Sequence, residues 1–203
     1  MNSTIEYYNR NAETFAEGTR GVTFGSVQDR FTILIPVGGY ILDFGCGSGR
    51  DTKHFLDQGF LVDATDGSEE LCRVAGEYAG IHVRHMYFQE LDEQQRYDGI
   101  WACASILHLS VSELQDVFPK MWNALKADGI LYTSFKYGTF SGERNGRFFT
   151  DMTEESFQRL LDSISIEGKR QFSILDLWIT GDARKGREEE KWLNVILKKK
   201  NIL

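Results

Sequence analysis

Residues 41–51 read Ile-Leu-Asp-Phe-Gly-Cys-Gly-Ser-Gly-Arg-Asp, an apolar run that ends in an acid and three alternate glycines. The run over 40–44 has the length of a buried strand, and the glycine cluster after it marks a tight turn. Glycines at 45, 47 and 49 lack Cβ atoms and permit unusual backbone angles, so a ligand can approach the main chain closely. In open α/β sheets, ligands bind beyond the carboxyl ends of strands at the switch point, and a first strand–helix turn lies there. Asp66 ends the next apolar run, 21 positions after Gly45, where a carboxylate commonly receives ribose hydroxyls. The turn is therefore built for an adenosine-type ligand. The third glycine narrows the choice. A dinucleotide fingerprint needs Gly-x-Gly-x-x-Gly, but its last position falls on Arg50 counted from Gly45 and on Thr52 counted from Gly47. No Gly-Lys-Ser/Thr follows, which excludes a phosphate P-loop. An acid–apolar–Gly-x-Gly-x-Gly turn remains.

Outward from this turn, strands and helices alternate. The spacing predicts helical pieces over 3–34 broken near 19–25, a helix over 51–57 and a strand over 60–65. A helix over 68–78 has Ser68 as N-cap and Glu69 and Glu70 in its first turn, where the helix dipole favours acids. Strands follow over 81–88 and 97–104. The helix over 111–125 repeats apolar residues at helical spacing (Val111, Leu114, Phe118, Met121, Trp122, Leu125), and a fifth strand covers 130–135. A helix over 153–161 opens on a partial capping box at Thr153. Two strands, 172–180 and 192–197, close the chain with no helix between them. The pattern predicts an α/β fold: a Rossmann-like, doubly wound, seven-stranded, mostly parallel sheet with an antiparallel C-terminal strand and an N-terminal helical cap. One domain spans 1–203, with the cap over 1–34 and the ligand-binding core over 38–203.

Composition bounds the function. The chain has 203 residues, 41% hydrophobic and 26% charged, which excludes disordered and fibrous classes. Its longest apolar stretches, such as 31–37, fall far short of the roughly 18 residues that span a bilayer. The first residues lack a basic start and an apolar core, so no export signal is visible. Three cysteines without metal-ligand spacing suit a reducing cytoplasm and point to neither a disulfide scaffold nor a metal site. A net charge of −7 provides no basic footprint for duplex nucleic acid. The expectation is a soluble cytoplasmic enzyme or binding domain, monomer or homodimer, with no membrane partner.

The glycine turn resembles motif I of the class I S-adenosylmethionine-dependent methyltransferases, and ordered matches cover nearly the whole chain. They are Tyr-Tyr-Asn-Arg-Asn-Ala at 7–12 with Phe15 and Thr19, the turn itself, and Ala-Thr-Asp-Gly-Ser at 64–68. Tyr-Asp-Gly-Ile-Trp-Ala-Cys-Ala-Ser-Ile-Leu-His-Leu at 97–109, Leu-Lys-Ala-Asp-Gly-Ile-Leu-Tyr at 125–132 and Ser-Phe-Lys-Tyr-Gly at 134–138 follow. The set is similar to the small single-domain subgroup that includes tellurite-resistance-type methyltransferases. The resemblance implies S-adenosylmethionine as cofactor, with Gly45, Cys46 and Gly47 beneath it and Asp43 and Arg50 orienting its methionine end and the loop. It implies Asp66 on the ribose, Gly67 and Ser68 beside the adenine, and Phe88 and Gln89 flanking it. Ala104 and Ser105 would lie under the sulfonium, and Tyr8 and Thr19 would close the methionine end from the cap. Related sequences usually carry an acid near position 87, where this chain has Tyr87; Glu90 or a backbone carbonyl then stands to accept from the adenine amino group.

The acceptor side is read from fewer residues. His108, just past the fourth strand, is a candidate general base, or else it packs against the cofactor or caps the next helix. The three cysteines read as small buried fillers. The stretch 136–150 is long for a connection and carries three glycines, and Lys136, Arg144 and Arg147 outnumber its one acid, Glu143. It reads as a lid recognising an anionic or polarisable acceptor, with Tyr137, Arg144 and Arg147 as substrate-binding candidates, or as a solvated crossover. Lys198, Lys199 and Lys200 read as an edge-strand guard. The expected reaction is methyl transfer to a small-molecule acceptor, a thiol, oxyanion or similar nucleophile, by in-line displacement. An RNA or protein acceptor and a non-catalytic cofactor-binding module are the alternatives. A base-directed nucleic-acid enzyme would resemble Asn/Asp-Pro-Pro-Tyr after the fourth strand, where this chain reads Ala-Ser-Ile-Leu.

Overall fold

The computed structural model describes residues 3–165, 168–184, 186, 187 and 189–201, so the outer bounds at 1 and 203 lie outside the described residues. The elements run α1 (Ser3–Arg20), α2 (Gly25–Thr32), β1 (Tyr40–Phe44), α3 (Arg50–Asp57), β2 (Leu61–Asp66), α4 (Glu69–Ala79) and β3 (Val83–His85). They continue with β4 (Tyr97–Ala102), α5 (Val111–Ala124), β5 (Leu125–Lys136), β6 (Ser141–Arg144), β7 (Arg147–Thr150), α6 (Glu154–Ser163), β8 (Phe172–Gly181) and β9 (Lys191–Lys199).

Seven strands form one sheet in the order β3-β2-β1-β4-β5-β9-β8. β1 pairs in parallel with β2 on one side and β4 on the other, so the chain order reverses at β1. The crevice beyond its carboxyl end is the switch point. β9 runs antiparallel to both β5 and β8, as the sequence predicts for the last strand; β8 is thereby parallel to β5.

Successive residues of each strand face opposite layers. Leu42, Phe44, Ile100, Ala102, Leu131 and Val195 pack with Phe118 of α5 and Phe157 of α6. Ile41, Trp101, Ile130, Tyr132 and Ile196 pack with Phe31 of α2 and Phe55 of α3. Both faces of the sheet are therefore covered, which is why its strands read as continuous apolar runs. α1 lies on α4 through Ala12 and Ala16 against Leu71 and Val74, small residues that let the cap sit close over the core.

Three larger differences from the sequence reading bear on the site. The third strand is only Val83–His85, because a 3₁₀ turn over Phe88–Glu90 takes the rest. The fifth reaches back to Leu125. The stretch read as an irregular lid contains the hairpin β6–β7, paired from Ser141↔Thr150 to Arg144↔Arg147. Asn145 and Gly146 at its tip have φ of 53° and 75°, as a two-residue type I′ turn requires. Among the described residues, no helix is long and apolar enough to cross a membrane.

Candidate active site

The glycine turn leaves β1 with Gly45 at φ +84° and Gly47 at φ +57°. A Cβ on Gly45 would stand 2.5 Å from the Ser105 Cβ, and one on Gly47 would stand 3.2 Å from the Phe15 ring. Gly45 N–H and Cys46 N–H both donate to the Thr65 carbonyl at 2.9 Å. Asp66, buried at the end of β2, accepts from Gly47 N–H on one oxygen and from Ser68 N–H on the other, each at 2.9 Å. Burial raises its pKa, against the pull of those backbone donors. Each oxygen keeps a lone pair, so Asp66 can hold the turn and still receive a diol.

Beneath the turn lies a polar hub that the sequence reading did not identify. Asp51 is buried at the start of α3 and accepts from Arg50 twice (2.7 and 2.9 Å), from Gln28 (2.7 Å) and from the Trp101 indole (2.8 Å). Arg50 is thus committed to its neighbour, and its guanidinium also lies 4.6 Å from the centre of the Phe24 ring. Asp43 is buried beside this pair and accepts from the Thr52 hydroxyl at 2.5 Å; burial and then the Asp51 charge push its pKa up. Trp101, which anchors the hub from β4, stacks on Tyr132 at 4.0 Å between ring centres.

The roof comes from both ends of the chain. Asn9 of α1 accepts from the Ser68 hydroxyl at 2.6 Å, pinning the cap to the N-terminus of α4. Phe148 N–H of the hairpin donates to the Thr4 hydroxyl at 3.0 Å. His108 is the joint between them. Its Nδ1 lies 2.6 Å from the Phe148 carbonyl and its Nε2 2.9 Å from the Tyr8 hydroxyl. A carbonyl only accepts, so Nδ1 carries the hydrogen and Nε2 accepts from Tyr8. Burial first, and also Arg147, lowers the His108 pKa to about 4. Arg147 spreads over the Tyr7 ring at 4.3 Å and reaches the Tyr8 oxygen at 3.5 Å.

These parts enclose a cavity of about 420 Å³. Thr19 lines it while donating back to the Phe15 carbonyl at 2.8 Å. Gly67, Phe88 and Gln89 line the side where adenine is expected, with Tyr87; Glu90 is occupied in accepting from Tyr87 N–H at 2.7 Å. Ser68, buried next to them, is the N-cap of α4 and accepts from Leu71 N–H. Ala104 takes a left-handed φ of 49° and donates its N–H to the Ser134 hydroxyl, while Ser105 donates to the Phe44 carbonyl at 2.7 Å. Arg144 lines the cavity but is bound twice by Asp151, at 2.7 and 3.2 Å. Tyr137 turns its hydroxyl to Glu154 at 2.9 Å and is not among the lining residues. The far wall is the turn between β8 and β9, where Asp182 holds Arg184 and the Trp192 indole; nothing local in the sequence announces it. Among the described residues, no group of three or more His, Cys, Asp or Glu is placed to hold a metal ion.

A family model described as a methyltransferase domain matches residues 41–129. The chain is similar, over this segment and in its fold, to class I S-adenosylmethionine-dependent methyltransferases. It is 36% identical over 99 residues to alpha N-terminal protein methyltransferase 1 of Caenorhabditis elegans, covering 45% of this chain and 42% of that one. Its fold is similar to that of the 1,6-didemethyltoxoflavin-N1-methyltransferase of Burkholderia thailandensis, solved with S-adenosylhomocysteine (TM-score 0.74, 20% identity, 97% and 85% of the two chains). It is also similar to the magnesium protoporphyrin IX methyltransferase of Synechocystis, likewise solved with S-adenosylhomocysteine (TM-score 0.69, 17% identity, 96% and 97%). The chain spans between 40% and 60% of the length of four curated relatives that it matches.

S-adenosylmethionine is the cofactor of this methyltransferase family, and the residues present fit it. The cradle that Cβ atoms at 45 and 47 would obstruct lies under the cavity, and Asp66 offers acceptors for two hydroxyls. Bound there, the cofactor supplies a methyl group made electrophilic by its sulfonium.

Proposed function

We propose that this methyltransferase alkylates a small-molecule acceptor by in-line displacement. The observation that carries the reading is the partly open cavity beyond the glycine turn: at about 420 Å³ it falls within the range of small-molecule sites, about 300–1,000 Å³. It is roofed by α1 and the β6–β7 hairpin. Such a site works by excluding water and aligning donor and nucleophile, and needs no covalent intermediate. Asp66, Gly45, Cys46 and Gly47 hold the nucleoside end. Phe88 and Gln89 wall the adenine, and Tyr8, Thr19 and the Asp43–Arg50–Asp51 floor enclose the methionine end.

Arg147 is the acceptor-facing cation. Arg50, Lys136, Arg144, Arg184 and Arg187 each pair with a carboxylate; among the described residues Arg147 has none, and its Nε is buried without a partner. Arg144 then braces the hairpin through Asp151 and Tyr137 is held to Glu154 of α6, neither needing to touch the acceptor. The two similar structures bear the names of enzymes for small heterocyclic molecules, which supports the same class here. The likeness to the tellurite-resistance-type subgroup adds thiols and chalcogen oxyanions.

The test is a labelled-cofactor screen over thiols, tellurium and selenium oxyanions, amines, N–H heterocycles, peptides with free N-termini and small RNAs. Label entering a small molecule is the expected result. Label entering only peptide or RNA would overturn the acceptor class, and tight S-adenosylhomocysteine binding with no transfer to any acceptor would favour a non-catalytic module.

A further inference from the structure

We propose that Tyr8 is the proton carrier of this site: its hydroxyl takes the proton of an O–H, N–H or S–H acceptor while its own hydrogen passes to Nε2 of His108. This rests on the methyl-transfer reading above. The sequence offers His108 as a candidate base for the acceptor or as a packing or capping residue, and the structure puts the Tyr8 hydroxyl on its Nε2 at 2.9 Å. Nδ1 cannot serve instead, because the Phe148 carbonyl holds it at 2.6 Å. An imidazole locked with Nδ1–H and a hydroxyl on its bare nitrogen is arranged to receive that hydroxyl's proton, and Tyr8 lines the cavity.

The balance closes. The acceptor heteroatom–carbon bond forms as the sulfur–methyl bond breaks, and the electron pair of the latter stays on sulfur. The acceptor's proton goes to the Tyr8 oxygen, and the Tyr8 proton goes to His108, which becomes an imidazolium. The charged and titratable groups facing the pair are Tyr7 on α1, Arg147 on the hairpin, Asp66 at the end of β2 and Arg184 on the far wall. Burial raises the pKa of the Tyr8 phenol, so a free phenolate is disfavoured, and simultaneous transfer avoids one. One positive charge leaves the site with the sulfonium and one appears on the ring. The net charge of the site is therefore unchanged by the step, although burial and Arg147 disfavour the imidazolium.

The acceptor this relay fits arrives carrying a proton on its nucleophilic atom, such as a phenol, an enol, a thiol or a heterocyclic N–H. A pre-ionised oxyanion would have no use for it.

The experiment uses the full chain with ¹⁵N-labelled histidine, saturated with S-adenosylhomocysteine at neutral pH, with His108→Gln to assign the resonance among the four histidines. The expected spectrum has Nδ1 protonated and Nε2 bare, with Nε2 shifting in Tyr8→Phe; a protonated Nε2 overturns the relay. The kinetic counterpart uses a protonated acceptor from the screen. Wild-type rates should be nearly flat below the acceptor's own pKa, whereas Tyr8→Phe should climb about tenfold per pH unit as it comes to depend on pre-ionised acceptor. A uniform loss at every pH would make Tyr8 structural and refute the relay. Absence of S-adenosylhomocysteine binding would instead sink the methyltransferase reading itself.

Discussion

Replacing Asp51 with Ala should be among the most damaging single changes outside the apolar core. The carboxylate receives four hydrogen bonds between 2.7 and 2.9 Å from Arg50, Gln28 and Trp101. The Asp51 and Arg50 side chains are only 9% and 20% exposed. Deleting the acid strands a largely buried guanidinium and an indole N–H at once. Breaking a buried pair by removing one partner costs about 3–5 kcal/mol, and each orphaned neutral donor adds about 1–3 kcal/mol, part of which relaxation or water recovers. The expected loss is about 4 kcal/mol, a Tm lowered by about 10 °C in a chain of this size. Asp51→Asn keeps the volume but has one acceptor oxygen, so it retains the Trp101 or the Gln28 bond and not both, and it should lose about half as much. Urea unfolding followed by circular dichroism measures both. A loss under about 1 kcal/mol for Asp51→Ala, with an unchanged denaturant slope, would show that the hub does not support the turn.

Three further outcomes are expected. Asp66→Ala should weaken S-adenosylhomocysteine binding by about 1–3 kcal/mol in titration calorimetry, with a small drop in stability because Gly47 and Ser68 N–H lose their acceptor; an unchanged Kd would assign the ribose elsewhere. Gly45→Ala should cost stability and abolish cofactor binding together, since its Cβ would meet Ser105 at 2.5 Å on a left-handed backbone; thermal melts with and without S-adenosylhomocysteine read both, and a normal ligand-induced rise in Tm would contradict the cradle. The His108 pKa is near 4 folded and 6.5 ordinarily. Between those values the unfolded chain binds more protons, so stability should fall as pH drops from 6.5 to 4, by up to about 3 kcal/mol. His108→Gln should flatten that part of the pH–stability curve, and an identical acid slope in the variant would mean that other groups dominate it.

The glycine turn and the two acids beside it were legible because their geometry is local. A glycine turn, the acid before it and the acid after the next strand all follow from backbone geometry within a few residues. The alternation of apolar runs with amphipathic helices is enough to order a parallel sheet. The hairpin was legible too, in Asn145-Gly146, and was missed because the surrounding glycines and cations read as a lid.

What tertiary structure alone decided lies at the acceptor end. There Tyr8, His108 and Arg147 meet across 100 and 139 residues of chain, and Asp51 gathers donors from α2, α3 and β4. Which arginine keeps a carboxylate and which goes without depends on these long-range contacts, since Arg144 and Arg147 sit three residues apart and only the first reaches Asp151. Local sequence sets the conformation of a turn through sterics, but proton affinity and charge pairing depend on which groups share a buried volume, and only the folded chain brings those groups together.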